Sequence, residues 1–115
     1  MIKYYNFPRQ LRLFKSKDFN WVLQQSIKIN RSYIMTLHCP NSCKHARIGF
    51  IISKNQVQHA YQRNRIKRLI RESFRLNQEK LPSMDFILII KQELSLMKNK
   101  IIIEKLNKLW DHYSI

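Results

Sequence analysis

Arg63-Asn64-Arg65-Ile66-Lys67-Arg68-Leu69-Ile70-Arg71-Glu72-Ser73-Phe74-Arg75 is the decisive stretch of this chain. At roughly 100° per residue, Ile66, Leu69, Ile70, Ser73 and Phe74 fall on one side of a helix, and Asn64, Lys67, Arg68, Arg71 and Arg75 on the other. Arg63 flanks the apolar edge near Phe74, and Arg65 flanks the opposite edge. Such a helix buries one side and turns a cationic arc outward. Solvated helix faces normally interleave both signs at i,i+4, yet Glu72 is the single acid of this stretch. Arginine dominates lysine, which suits forked contacts to phosphate oxygens. Asn64, inside the arc, can bond a base edge or a ribose hydroxyl.

Working outward, the helix is expected from about His59 to Glu79, because residues before Pro82 avoid helical geometry. Toward the N-terminus, Ser16 can cap a short helix from Lys17 to about Gln25, with Asp18 in its positive first turn. Phe19, Val22 and Leu23 share one face of it. Arg31 to Cys39 alternates partly and reads as a strand, and Pro40-Asn41-Ser42 as a turn. Arg47 to Ser53 suits a second strand, antiparallel to the first. Beyond the helix, Asp85 to Ile90 reads as a buried strand. Lys98 to His112 reads as a last helix with the stripe Ile102, Leu106, Leu109, Trp110 and Tyr113. The order α-β-β-α-β-α predicts an α+β fold, a small mixed sheet packed with helices. At 115 residues with one glycine and no linker composition, residues 1–115 are expected to form a single domain.

Twenty-two Lys and Arg against seven Asp and Glu give a formal charge of +15. Repulsion of that size works against compactness, and a polyanion relieves it by replacing counterions with phosphates. Nucleic acid is the leading partner class, ahead of an anionic membrane surface. The start of the chain lacks the apolar run of a signal peptide. The apolar runs Phe86 to Ile90 and Ile101 to Ile103 are too short to cross a bilayer. A cytoplasmic protein with reduced cysteines is expected.

Arg63-Asn64-Arg65, continuing as Ile66-Lys67-Arg68-Leu69-Ile70-Arg71, resembles the signature helix of bacterial ribonuclease P protein subunits. Arg12-Leu13 with Phe19, Arg47-Ile48-Gly49 with Ser53-Lys54, Met84-Asp85-Phe86 with Lys91, and Leu106 to Trp110 extend the likeness over nearly the whole chain in the family's order. The resemblance implies an accessory subunit of an RNA-based endonuclease that removes the 5′ leader of precursor tRNA. It implies ribonuclease P RNA and precursor tRNA as partners, with neither membrane nor DNA. Magnesium in the holoenzyme would be held mainly by RNA. It gives contact with the catalytic RNA to Arg63, Asn64, Arg65, Lys67, Arg68 and Arg71. The family's leader cleft, between the first helix and the sheet, would draw on Phe19, Tyr33, Ser53, Lys54, Lys91 and Arg12. Aromatic stacking beside a cationic groove is how single strands are held, although Phe19 and Tyr33 are equally compatible with plain core packing. Leu23 stands where the family often has an aromatic, and Gln92 where a second cation is common. The resemblance also implies a left-handed βαβ crossover, against the general right-handed rule.

Other chemistry is poorly supported by the residues. His38, Cys39, Cys43 and His45 crowd one turn, but structural zinc sites usually draw paired ligands from separate elements. The seven acids are scattered without a metal-ligand pattern, and His59 and His112 lack an evident partner. No catalytic residue and no metal ligand is therefore assigned. A ribosomal-type RNA binder would share the charge and fold class. A DNA-reading helix is disfavoured because Ile66, Ile70 and Phe74 are needed for a core and nothing suggests dimeric half-sites. Gly49 within a strand signals either a bulge or a close approach of another backbone or of RNA.

Overall fold

Met84–Ile90 (β4) is an unbroken apolar run after Asp85 because both of its faces are covered. A computed structural model describes residues 16–41 and 45–114, with side chains left out at 16–19 and 22. Within it β4 is an inner strand of a four-stranded sheet ordered β1-β2-β4-β3. The other strands are Ile27–Asn30 (β1), Ile34–Pro40 (β2) and Arg47–Ile51 (β3). β1 and β2 are antiparallel, as are β2 and β4, whereas β3 runs parallel to β4. The helices are Ser16–Gln25 (α1), Ala60–Asn77 (α2), the single turn Gln92–Ser95 (α3) and Asn99–Tyr113 (α4). A 3-10 turn, Gln78–Lys80, closes α2 before Pro82.

Strand alternation divides the side chains between two layers. Ile34 of β2, Ile48 of β3 and Phe86, Leu88 and Ile90 of β4 meet Ile66, Ile70 and Phe74 of α2 and Ile102, Leu106, Leu109 and Trp110 of α4. The Trp110 ring meets Phe74 and Phe86 edge-on at 5.5 and 6.0 Å, and its Nε1–H donates to Ser73 Oγ at 2.8 Å. Ser73 thus lies on the apolar side of α2 because it satisfies the indole there. The opposite sheet face buries Leu37, Cys39 and Ile87, with Leu23 of α1 packed over them.

The structure corrects the expected pairing of the strand after Pro40. β3 does not pair with β2; β4 lies between them, and the register Arg47↔Asp85 to Ile51↔Ile89 is parallel. The most apolar strand takes an inner place, and an ion pair whose carboxylate is buried fixes it. Arg47 Nε and Nη2 donate to Asp85 Oδ1 and Oδ2, both at 2.8 Å, while Asn41 Nδ2 donates to Oδ1 at 2.7 Å. The parallel strands β3 and β4 with α2 between them form a βαβ unit. Gly49 pairs in register with Ile87 and has negative φ, so it marks no bulge.

Two elements escaped the sequence reading. β1 is a four-residue edge strand, mostly exposed, joined to β2 by a turn in which Arg31 N–H donates to Ile34 O at 2.9 Å. α3 is a single turn that leads from β4 toward α4.

Asp85→Ala removes the bidentate partner of the part-buried Arg47 guanidinium, and should lower unfolding free energy by about 2 kcal/mol in urea titrations. His38 is expected to make stability pH-dependent. Its ring abuts Tyr113 (centroids 4.8 Å apart), and burial, followed by the neighbouring His112, lowers its pKa from 6.5. The fold therefore favours the neutral ring. That contribution is complete above the unfolded pKa and is lost as pH falls through the folded one. Urea midpoints should drop between about pH 7.5 and about pH 5, and less so in His38→Gln.

Candidate nucleic-acid interface

Because Ile66, Ile70, Ser73 and Phe74 are buried, the opposite side of α2 must face outward. Asn64 and Arg68 are exposed and Lys67 is half-buried, and none of the three has a hydrogen-bond or ion-pair partner among the described residues. Arg71 is exposed, with its guanidinium 5.5 Å from the centre of the Phe50 ring. Glu72 engages Arg75 one turn along. A carboxylate thus meets the ionic arc at its C-terminal end, and Asn64, Lys67, Arg68 and Arg71 form its outward part.

The two arginines that flank Asn64 behave differently. Arg63 Nη1 donates to the carbonyls of Val57 and Gln58 at 2.9 and 2.8 Å, bracing the loop before α2. Arg65 reaches across to the α3–α4 junction: Nη2 donates to Ser95 O at 3.0 Å, Nη1 to Met97 O at 3.3 Å and to Asn99 Oδ1 at 2.5 Å, and Nε to Gln62 Oε1 at 2.9 Å. Their places at the edges of the helical wheel were the available signal. Both guanidiniums keep their charge, since carbonyls and amides neutralise nothing, but their donors are largely committed within the chain.

The expected leader residues are not all brought together. Arg12 lies outside the described residues, and Phe19 is placed only as part of α1. Tyr33 packs with the α2/α4 layer and carries Lys105 Nζ 5.2 Å from its ring centre, so it lies away from the sheet face covered by α1. Ser53 ends the strand region in a turn, its Oγ and carbonyl both accepting from Gln56 N–H at 3.2 Å. Lys54 is exposed in that turn. Lys91 Nζ donates to Arg31 O at 2.5 Å and to Asn30 Oδ1, tying the end of β4 to the β1–β2 turn. Leu23 packs on the α1-side core. Trp21, absent from the sequence-based set, is 59% exposed on α1. An indole outside the Phe19-Val22-Leu23 face was its only sequence signal.

The histidine and cysteine cluster is split by strand geometry. Cys39 is buried with Leu37 and Ile87, whereas His38 turns to Tyr113 in the other layer. Burial, then the Asp85 carboxylate, pushes the Cys39 thiol up against the opposing effect of Arg47. Cys43 lies outside the described residues, and His45 Nδ1 lies 3.1 Å from Ala46 O. Among the described residues no three His, Cys, Asp or Glu side chains are grouped to hold a metal ion, and no helix is long and apolar enough to cross a membrane.

Comparison with known proteins agrees with this arrangement. A family model described as Ribonuclease P matches residues 7–114. The ribonuclease P protein component of Photorhabdus laumondii is 47% identical over 104 residues, covering 90% of this chain and 87% of that protein. A mutant RNase P protein of Staphylococcus aureus superposes with a TM-score of 0.84 at 27% identity, covering 90% of this chain and 88% of that one. The RNase P protein of Thermotoga maritima superposes with a TM-score of 0.76 at 26% identity, covering 88% and 96%.

Arg65 and Arg68 should separate in thermal or urea unfolding. Arg65→Ala removes four hydrogen bonds between this side chain and its surroundings, and is expected to cost about 1–2 kcal/mol. Arg68→Ala, which removes none, should stay within about 0.5 kcal/mol of the parent.

Proposed function

Since this chain belongs to the ribonuclease P protein family, we propose that it works as the protein subunit of a ribonucleoprotein that removes the 5′ leader of precursor tRNA, with the chemistry carried by the RNA. The observation that supports this most directly is the outward arc of α2. Asn64, Lys67 and Arg68 have no partner among the described residues, and Arg71 extends the surface. Phosphates on a folded RNA would take the place of counterions along it. Arg63 and Arg65 contribute charge at close range and hold the helix surroundings in shape.

The leader would run along the α1 side of the sheet. Lys54 supplies an exposed cation near the end of β3, and Trp21 of α1 supplies exposed aromatic surface for stacking, while the family resemblance assigns Phe19 to the same role. Tyr33 fits this role less well, because it packs in the other layer. Magnesium in the holoenzyme would be held by RNA, and the protein would act in the cytoplasm, where tRNA precursors are made.

Reconstitution with the cognate ribonuclease P RNA should accelerate leader removal most at low magnesium, where protein cations offset phosphate repulsion. No stimulation at any magnesium concentration would refute the proposal. Lys67→Glu with Arg68→Glu should weaken RNA binding and reduce the slope of log affinity against log salt by about 1 for each phosphate no longer neutralised. Phe19→Ala should weaken binding of leader-bearing precursor more than that of mature tRNA. Equal weakening of both would exclude the leader assignment.

A further inference from the structure

A cavity of about 230 Å³ opens where the β3–α2 loop meets α3. Its wall carries five carboxamides, those of Asn55, Gln56, Gln58, Gln62 and Gln92, and no lysine, arginine, aspartate or glutamate. It is smaller than the pockets that enclose drug-sized ligands. Two contacts hold its walls: Gln92 N–H donates to Gln56 Oε1 at 3.0 Å, and Ser95 Oγ donates to Gln92 O at 2.6 Å. The arginines beside Asn64 brace it from outside. Arg63 holds the Val57 and Gln58 carbonyls, and Arg65 holds Gln62 Oε1 and the Ser95 carbonyl. The side-chain amides of Asn55, Gln58 and Gln92 have no partner among the described residues. At the rim, His59 stacks on Tyr61 with ring centroids 5.5 Å apart at 25°, and Tyr61 is 67% exposed.

We propose that this cavity receives one unpaired nucleobase of the bound RNA, read by the amides of Gln58 and Gln92, with the His59–Tyr61 pair as its stacking platform. The inference rests on the RNA-binding reading above and adds a second mode of contact to it. A carboxamide offers a donor and an acceptor side by side, as the edge of a base does. A charged ligand would find no counterion in the wall, whereas a neutral polar base needs none. Its phosphates would lie outside the cavity, toward the cationic arc that begins at Asn64 on the next turn of α2. Unstacked bases held on aromatic rings and bonded at their edges are the usual means of sequence-specific RNA recognition.

The test uses the full chain reconstituted with its cognate ribonuclease P RNA transcript. Gln58→Ala with Gln92→Ala removes amides that bond no described residue, so circular dichroism melts should match the parent. Affinity for the RNA should fall about tenfold, with the salt slope unchanged because every cation is retained. A benzophenone photocrosslinker in place of Leu96, which is 76% exposed on the rim, should mark one unpaired nucleotide in the parent and fail to mark it in the double variant. Unchanged affinity and crosslinking, alongside clearly weaker binding by Arg68→Glu, would overturn the cavity assignment and leave RNA binding intact. If Arg68→Glu and the double variant both bind like the parent, the RNA-binding reading falls, and the cavity assignment falls with it.

Discussion

Burial of β4 on both faces is the constraint from which the layout of this protein follows. Phe86, Leu88 and Ile90 require cover on one side and Ile87 on the other. One helical layer cannot supply both. α2 and α4 therefore pack against one face and α1 against the opposite one, and the parallel strand β3 is brought beside β4 by the long helix between them. The Arg47–Asp85 pair, joined by Asn41, holds that alignment from the α1 side. The outward arc of α2 and the α1 face thus lie on different sides of one sheet.

The treatment of positive charge is selective. Carboxylates answer Arg47, Arg75 and Lys80. Arg63, Arg65 and Lys91 are held by carbonyl and amide oxygens. Neutral oxygens fix a cation in place without cancelling its field, so these side chains organise loops while still attracting a polyanion over a Debye length. Structural and electrostatic roles are thereby combined in the same residues, at a net charge of +15.

Periodicity made the long elements readable in the sequence. α2, α4 and β4 each bury a contiguous face or run, so their patterns announce them, and Pro82 marks the end of the α2 region. The outward set Asn64, Lys67, Arg68 and Arg71 was legible for the same reason. Pairing was not, because β2 and β3 are neighbours in the chain and the strand that separates them comes later. β1 is too short and too exposed to rise above a loop. The tethering of Arg65 depends on Ser95, Met97 and Asn99, about thirty residues away, and no local spacing encodes such a contact. Tyr33 shows the limit of reading an aromatic by type: its ring joined the core layer under Lys105.

The edge strand β1 also bears on self-association. An unpaired strand edge invites a second chain to add to the sheet, and natural proteins discourage this with short edges and lysine. β1 offers only four residues, Ile-Lys-Ile-Asn, and an approaching copy would bring the same Lys28 and the same overall positive charge. Growth of the sheet from the β1 edge is thus opposed both by geometry and by like-charge repulsion. A chain of this charge is in this way guarded against extending its own sheet at β1.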